Sequence, residues 1–205
     1  MEYNPNWAWF GHLNQPVLSG SEMPFKIAGG QTIVFISPCE FGRTQTRCQS
    51  SLQTGFATVT SDLPLVGTLI FSEFGSAGRI AQAGVSSATP STKQEIIAMA
   101  PHSNPSDANI YPPNTAISAL ALVNPGTVTA NITFQLLDAN GVASAPPATK
   151  TLAPNNHTAL FLNQLFPNAQ IDGTLRILSD VPIVATGLLF QNNGEFATFP
   201  VFPLP

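Results

Sequence analysis

Short apolar and β-branched runs, separated by turn residues, recur along the second half of the chain. This spacing is typical of a β-sandwich, in which short strands alternate with turns. Asp138-Ala139-Asn140-Gly141 predicts a hairpin, because an Asn-Gly step accepts positive φ at low cost. One short helix is expected at Asn163-Gln164-Leu165-Phe166, where Pro167 would end it. The eight predicted strands are 93–100, 115–123, 127–137, 147–152, 157–162, 171–179, 182–191 and 195–201.

The chain also resembles itself. Residues 55–68 align with residues 173–186 at a constant offset of 118, with Gly, Ser, Asp, Pro, Val and Thr identical at six positions. A weaker match joins residues 28–36 to 153–162. This internal similarity indicates two repeats. We predict that each is a β-sandwich domain, the first over residues 1–90 and the second over residues 91–205.

The first repeat is shorter and lacks a counterpart of the predicted strand at 93–100. A missing strand leaves an exposed sheet edge, which proteins cover or pair with another strand or another chain. The Pro-rich tail at 199–205 is a candidate cover. Within the aligned windows Asp62, Pro64, Asp180 and Pro182 are predicted turn residues, since Asp caps its own turn and Pro ends a ladder.

Composition supports an all-β class. Charged residues make up only 9% of the chain, against a usual share of about a quarter. The 19 Thr, 16 Ser, 15 Asn and 11 Gln replace them at the surface. Thr suits strands and Asn and Ser suit turns, whereas exposed helices use Lys, Glu and Arg.

Charge narrows the range of partners. With a net charge of −4 and seven Lys plus Arg, the chain has too little positive charge for a basic stripe on nucleic acid or an anionic membrane. No apolar run approaches the roughly 20 residues that cross a bilayer. The first residues do not have the pattern of a signal peptide, so an exported form is expected to have lost its signal or to belong to a longer chain.

Cys39 and Cys48 are the only cysteines, and they flank a polar stretch with the character of a loop. We expect a disulfide between them, which implies an oxidising compartment. Two reduced buried thiols are the alternative. A metal site is not expected, because no His or further Cys stands at ligand spacing nearby.

The sequence offers little catalytic chemistry. His12, His102 and His157 stand in unrelated contexts, and no Gly-x-Ser-x-Gly motif accompanies them. The acids Glu73 and Glu195 are interpreted as solvated residues in turns. Motifs for phosphate, zinc or calcium binding are absent from the sequence, so no cofactor is expected.

Trp7 and Trp9 stand at alternate positions, which share one face if the segment is a strand. Two indoles on one face can stack on a sugar or on another protein, and Tyr111 is a further candidate for such a platform. The competing interpretation places both tryptophans in a core.

Several segments of the second repeat resemble a known type of module. They are Leu122-Val123-Asn124-Pro125, Asp138-Ala139-Asn140-Gly141, residues 155–167 and Ser179-Asp180-Val181-Pro182-Ile183. Together they resemble tandem immunoglobulin-like sandwich modules of poorly characterised bacterial secreted or cell-surface proteins. The resemblance implies an extracellular or surface location and carries no catalytic residues with it.

We therefore expect an extracellular structural or adhesive protein, whose partner is protein, through self-association or neighbouring domains. A carbohydrate-binding module that uses Trp7, Trp9 and Tyr111 on a polysaccharide is the first alternative. An unrecognised hydrolase with a site between the repeats is the second.

Overall fold

The computed structural model describes residues 8–9, 24–36, 56–75, 78–99, 117–191 and 196–205. In this part of the chain the regular structure is β-strand, apart from one four-residue helix, so the all-β prediction is confirmed. The chain divides into two compact units, Met1–Ser61 and Asp62–Pro205. This division does not coincide with the predicted domain boundary near residue 90, which stays a prediction.

In the first unit, β1 (Ala8–Trp9) pairs antiparallel with β2 (Phe35–Ile36). A turn at Gly29 and Gly30 precedes β2, and the Gln31 amide donates to the Ala28 carbonyl at 3.1 Å. Gly30 has a φ of +75°, a conformation that glycine adopts without strain.

The described residues of the second unit form ten strands and the helix α1 (Leu162–Leu165). From residue 91 to 199 the strands lie close to the predicted ones, except that the predicted strands 171–179 and 182–191 form one strand. The helix begins one residue before the predicted one. The ten strands are β3 (Thr68–Gly75), β4 (Gly78–Ser86), β5 (Ser91–Met99), β6 (Ile117–Asn124), β7 (Ala130–Leu137), β8 (Ala148–Leu152), β9 (Asn156–Phe161), β10 (Asp172–Phe190), β11 (Phe196–Phe199) and β12 (Phe202–Pro203).

Strand β10 joins two groups of antiparallel strands. Its first half pairs with β5 and β7, and these extend to β12 and β8 respectively. Its second half pairs with β6 and β11, and β6 extends to β9. The 19-residue strand is therefore shared by both groups.

Both groups contribute to one apolar core, as the alternation of apolar and polar positions predicts. Along β10 the odd-numbered positions Leu175, Ile177, Ile183 and Ala185 are all buried, so the strand bends around the core without changing face. The buried side chains that complete this core include Ile96, Leu120, Leu122, Ile132, Phe134, Leu136 and Leu162.

The bend in β10 lies at Ser179-Asp180-Val181-Pro182. Between Leu178 and Ile183 the chain advances five positions while the partner β5 advances two, from Lys93 to Ser91. The sequence predicted two strands with a turn here, and the structure has one strand with a bulge. Asp180 and Pro182 thus lie within a continuous strand, and Pro182, which has no N–H to donate, lies where the ladder is interrupted.

The buried Gln94 bridges this irregularity. Its side-chain amide Nε2 donates to the Ile183 carbonyl at 2.9 Å and to the Ser91 carbonyl at 3.1 Å. Ser91 and Ile183 are the strand partners that re-establish pairing after the bulge. A polar side chain is tolerated in the core at this point because it satisfies main-chain acceptors.

The predicted hairpin is present between β7 and β8. Asp138 Oδ1 accepts from the amides of Asn140 and Val142 at 2.8 and 2.9 Å, and Gly141 has a φ of +77°. The carboxylate therefore holds its own turn, as short acidic side chains do.

Residues 56–67 differ from their aligned partners. Residues 173–186 lie in β10, whereas 56–67 form no strand and contain only a bend at Asp62 and Leu63. Asp62 and Pro64 are exposed there. Sequence similarity thus does not give these two segments the same backbone structure.

Candidate functional site

The hairpin of β3 and β4 attaches to the sandwich through β4. Ala81 and Ala83 of β4 are buried in a small apolar cluster with Phe196, against which Phe190 packs. The Thr198 hydroxyl of β11 donates to the Gly84 carbonyl of β4. Strand β4 therefore lies between β11 and β3, and β3 is the outer strand of the hairpin.

Strand β3 pairs with β4 over its whole length, from Thr68 opposite Ser86 to Gly75 opposite Gly78. Within the described residues, its second edge has no strand partner. Leu69 is 55% exposed and Ile70 is 60% exposed, and Val66 just before the strand is 92% exposed. Apolar side chains thus stand in water beside unpaired main-chain groups.

The residues leading into β3 carry no charge. From Leu63 to Ser72 the sequence holds no ionisable side chain, and Glu73 is the first. An uncharged, apolar strand edge of this kind attracts another strand, because nothing along it repels a partner. We call Leu65–Ser72, the stretch that ends before Glu73, the β3 edge.

Two edge strands of the sandwich itself, β8 and β12, are protected. Strand β8 places Lys150 opposite the buried Ile132, so a charged side chain points inward from an edge strand. Strand β12 is two residues long and ends in Pro203, which has no N–H for a further ladder. Both are recognised ways of blocking edge-to-edge pairing. The tail at 199–205 was predicted as a cover for the first repeat, but its strand β12 pairs with β5, in the predicted second repeat.

Charged side chains in the described residues form an ion pair and hydrogen bonds between neighbouring strands of the sandwich. Arg176 and Glu95 face each other across β10 and β5, with Nε 2.7 Å from Oε1. At the bend of β10, Asp180 Oδ1 accepts from the Asn131 amide at 2.8 Å and Oδ2 from its side chain at 2.6 Å. These hydrogen bonds lower the pKa of Asp180 below its ordinary value, because they favour the ionised carboxylate.

Asn124 is fully buried, and it holds the loop that follows β6. Its side-chain amide donates to the carbonyls of Val128, Leu152 and Ala153 at 2.7, 3.0 and 3.2 Å, and its oxygen accepts from Gly126 at 3.0 Å. From the sequence, Leu122-Val123-Asn124-Pro125 was noted only as one of the segments that resemble immunoglobulin-like modules, and no role was predicted for Asn124. Its role as a loop anchor depends on neighbours 28 and 29 residues away in the chain.

Most predicted site residues are not described. Trp7, Tyr111, Cys39, Cys48, His12, His102 and Glu195 all lie outside the described residues. For Trp9 only the backbone, in β1, is described, and Glu73 lies in β3. His157 lies in β9 opposite Val123. The predictions of stacking, disulfide and histidine chemistry therefore stay predictions.

The described residues contain neither a cluster of metal ligands nor a membrane-spanning helix. Among the described residues, no three His, Cys, Asp or Glu side chains converge as metal ligands. In the same part of the chain, no helix has the length and apolar character to cross a bilayer.

Comparisons with known proteins add little. No protein-family model matches the chain, and no curated protein matches it. Among solved structures, the Anabaena sensory rhodopsin transducer is 19% identical, with a TM-score of 0.37, over 50% of this chain and 91% of that one. The structure of Thermotoga maritima 1070 is 16% identical, with a TM-score of 0.39, over 57% of this chain and 97% of that one. Likenesses of this size carry no argument about fold or function.

Proposed function

We propose that this protein is an extracellular structural or adhesive protein, in which a rigid β-sandwich presents the hairpin β3–β4 for assembly with other protein. The observation that carries the proposal is the contrast between edges. Strands β8 and β12 are blocked by Lys150 and Pro203, whereas the β3 edge is apolar and uncharged. Exposed apolar residues along a strand edge, on a domain that protects two of its other edges, are typical of an interaction site.

The sandwich is suited to a load-bearing or display role. Its core residues come from both strand groups, and β10 connects the groups through main-chain ladders. Gln94 and Asn124 add buried hydrogen bonds at the bulge and at a loop. Satisfied buried polar groups favour one packing of the core over alternatives.

Tandem immunoglobulin-like repeats are part of this proposal. Strand β4 begins at Gly78 and β11 at Phe196, which is again an offset of 118 residues, so the hairpin β3–β4 matches the end of β10 followed by β11. Residues 28–36 align with residues 153–162, which contain β9, and strand β2 lies at the end of the first of these segments. These correspondences support a common ancestry of the two halves.

An extracellular location is supported by composition and by the resemblance to bacterial surface modules. Thr, Ser, Asn and Gln supply most of the polar surface of a chain that is only 9% charged. The carbohydrate-binding and hydrolase alternatives stay predictions, because Trp7, Tyr111, His12 and His102 lie outside the described residues.

Display of the chain on a bacterial surface tests the proposed function. We expect cells that display the wild-type chain to clump or to attach to protein-coated surfaces more than cells that carry the anchor alone. A variant with Leu69→Lys and Ile70→Lys should lose this gain, because it places two charges on the β3 edge. The control Val128→Lys/Val142→Lys adds the same charge at two side chains that are each 61% exposed elsewhere. Equal attachment by wild-type and anchor-only cells would contradict the proposal.

A further inference from the structure

We propose that Asn140 is a site of spontaneous deamidation, and that the hydrogen bonds of Asp138 set its rate by holding the turn closed. This modification goes beyond the proposed function and does not depend on it. Asn140 is followed by Gly141 in the turn between β7 and β8, and both residues are exposed. Apart from the neighbouring residues, no described atom lies within 4 Å of a Cβ built on Gly141. Water therefore reaches the reacting groups.

The reaction needs only these two residues and water. The main-chain nitrogen of Gly141 attacks the side-chain amide carbon of Asn140, and the new C–N bond closes a five-membered imide. The side-chain nitrogen of Asn140 leaves as ammonia, with the proton that the Gly141 nitrogen gives up. Water then opens the imide at either carbonyl, which gives aspartate or isoaspartate. Glycine favours the attack, because it has no Cβ beside the reacting nitrogen and adopts many backbone conformations.

The closed turn opposes this attack. The Gly141 N–H donates to the Asp138 carbonyl at 2.9 Å, so the attacking nitrogen is engaged. Asp138 Oδ1 also accepts from the amides of Asn140 and Val142 at 2.8 and 2.9 Å. These three hydrogen bonds fix the main chain on both sides of the reacting pair. Deamidation in the folded protein thus proceeds through local opening of the turn, which such exposed hydrogen bonds permit.

The two products differ in their effect on the hairpin. Aspartate leaves the main chain as it is, whereas isoaspartate routes it through the former side chain and adds one carbon atom. The lengthened segment lies between Asp138 and Val142, where the Asp138 amide now donates to the Val142 carbonyl at 2.8 Å. The isoaspartate product therefore disturbs the turn that leads into β8, the edge strand that carries Lys150.

Incubation of the full chain at mildly alkaline pH, followed by peptide mass spectrometry, tests the inference. We expect Asn140 to convert at least ~5-fold more slowly than in a peptide of residues 130–150, because the folded chain must first open its turn. Asp138→Ala removes two of the three hydrogen bonds and should raise the rate in the full chain by about 5- to 30-fold. Asp138→Asn keeps the accepting oxygen and should stay near the wild-type rate.

Asn193 and Gly194 form the same pair outside the described residues and serve as an internal control. Asp138→Ala should leave the rate at Asn193 unchanged, because it opens only the turn that contains Asn140. Equal acceleration at both sites would point to unfolding of the whole protein and would overturn control by the turn, as would equal rates in the wild type and Asp138→Ala. A full chain in which Asn140 stays intact after the peptide has converted would overturn the assignment of the site.

Discussion

The ring of Phe199 in β11 lies directly against the backbone of Gly187 in β10. A Cβ built on Gly187 would stand 2.3 Å from Phe199 Cε2, closer than any real contact. The two residues are strand partners, so the ring covers the glycine in the sheet. An aromatic ring over a cross-strand glycine restores the packing that the glycine lacks.

We expect Gly187→Ala to lower the free energy of unfolding by about 1–3 kcal/mol, through overpacking against Phe199. The loss should shrink in a Phe199→Ala background, because the ring is the obstacle. Gly173→Ala is the comparison: its φ is +145°, and its Cβ would stand 2.2 Å from the Leu137 carbonyl oxygen. Its cost should be the same with and without Phe199. Urea denaturation gives the free energy of unfolding of each variant. If Phe199→Ala changed the cost of both glycine substitutions by the same amount, overpacking of Gly187→Ala against Phe199 would be contradicted.

Gln94→Leu should destabilise the sandwich by about 1–3 kcal/mol, because the buried Ile183 carbonyl and the partly buried Ser91 carbonyl lose their side-chain donor. The leucine has a similar volume, so the loss would report the hydrogen bonds rather than a cavity. Gln170→Leu is a matched control at an exposed position and should change the unfolding midpoint little. A Gln94→Leu protein as stable as the wild type would show that the bulge does not depend on this side chain.

Asn124→Asp should destabilise the protein by on the order of 3 kcal/mol at neutral pH. The substitution places carboxylate oxygen against the carbonyls of Val128, Leu152 and Ala153, where an amide now donates. Asn140→Asp makes the same chemical change in an exposed turn and should be nearly neutral. Thermal unfolding followed by circular dichroism compares the two, and equal shifts would refute the anchor role of Asn124.

The contact between Asp180 and Asn131 predicts a pH dependence. The pKa of Asp180 is lowered in the folded protein, so the carboxylate contributes stability above its ordinary pKa and loses this contribution as pH falls. The stability difference between the wild type and Asp180→Asn should be present at pH 7 and should decline below about pH 4. Chemical denaturation at pH 7, 4 and 2.5 measures it. In an Asn131→Ala background the difference should be smaller at pH 7, and an unchanged difference would argue against the contact.

Local signals in the sequence predicted much of the second unit. Strand-length apolar runs, the turn residues Asp138 and Gly141 and the stop at Pro167 each determine structure within a few residues, and all of them reappear in the fold. The segment Ser179-Asp180-Val181-Pro182 was predicted as a turn between two strands, because Asp and Pro have the same local preferences in a turn and in a bulge. Only the partners β5, β6 and β7 decide between the two.

The candidate site was predicted less completely. The sequence indicated an edge in the first half that lacks a strand, but not which strand carries it. Exposure of Leu69 and Ile70 depends on what packs against the hairpin, and a run of apolar residues in a sequence has the same pattern whether it is buried or exposed. Likewise, the inward position of Lys150 follows from its pairing with Ile132 and not from its neighbours in the chain.

The shared strand β10 also sets the order of events in folding. Residues 172–190 are made after β5, β6, β7, β8 and β9, and both strand groups need them as their common member. During synthesis, the pairs β6–β9 and β7–β8 therefore lack the strand that joins the two groups until residues 172–190 have been made. Contacts between positions as far apart as Ser91 and Ile183 make closure slow and cooperative. A chain truncated before β10 should be a substrate for chaperones and proteases rather than a smaller version of the same domain.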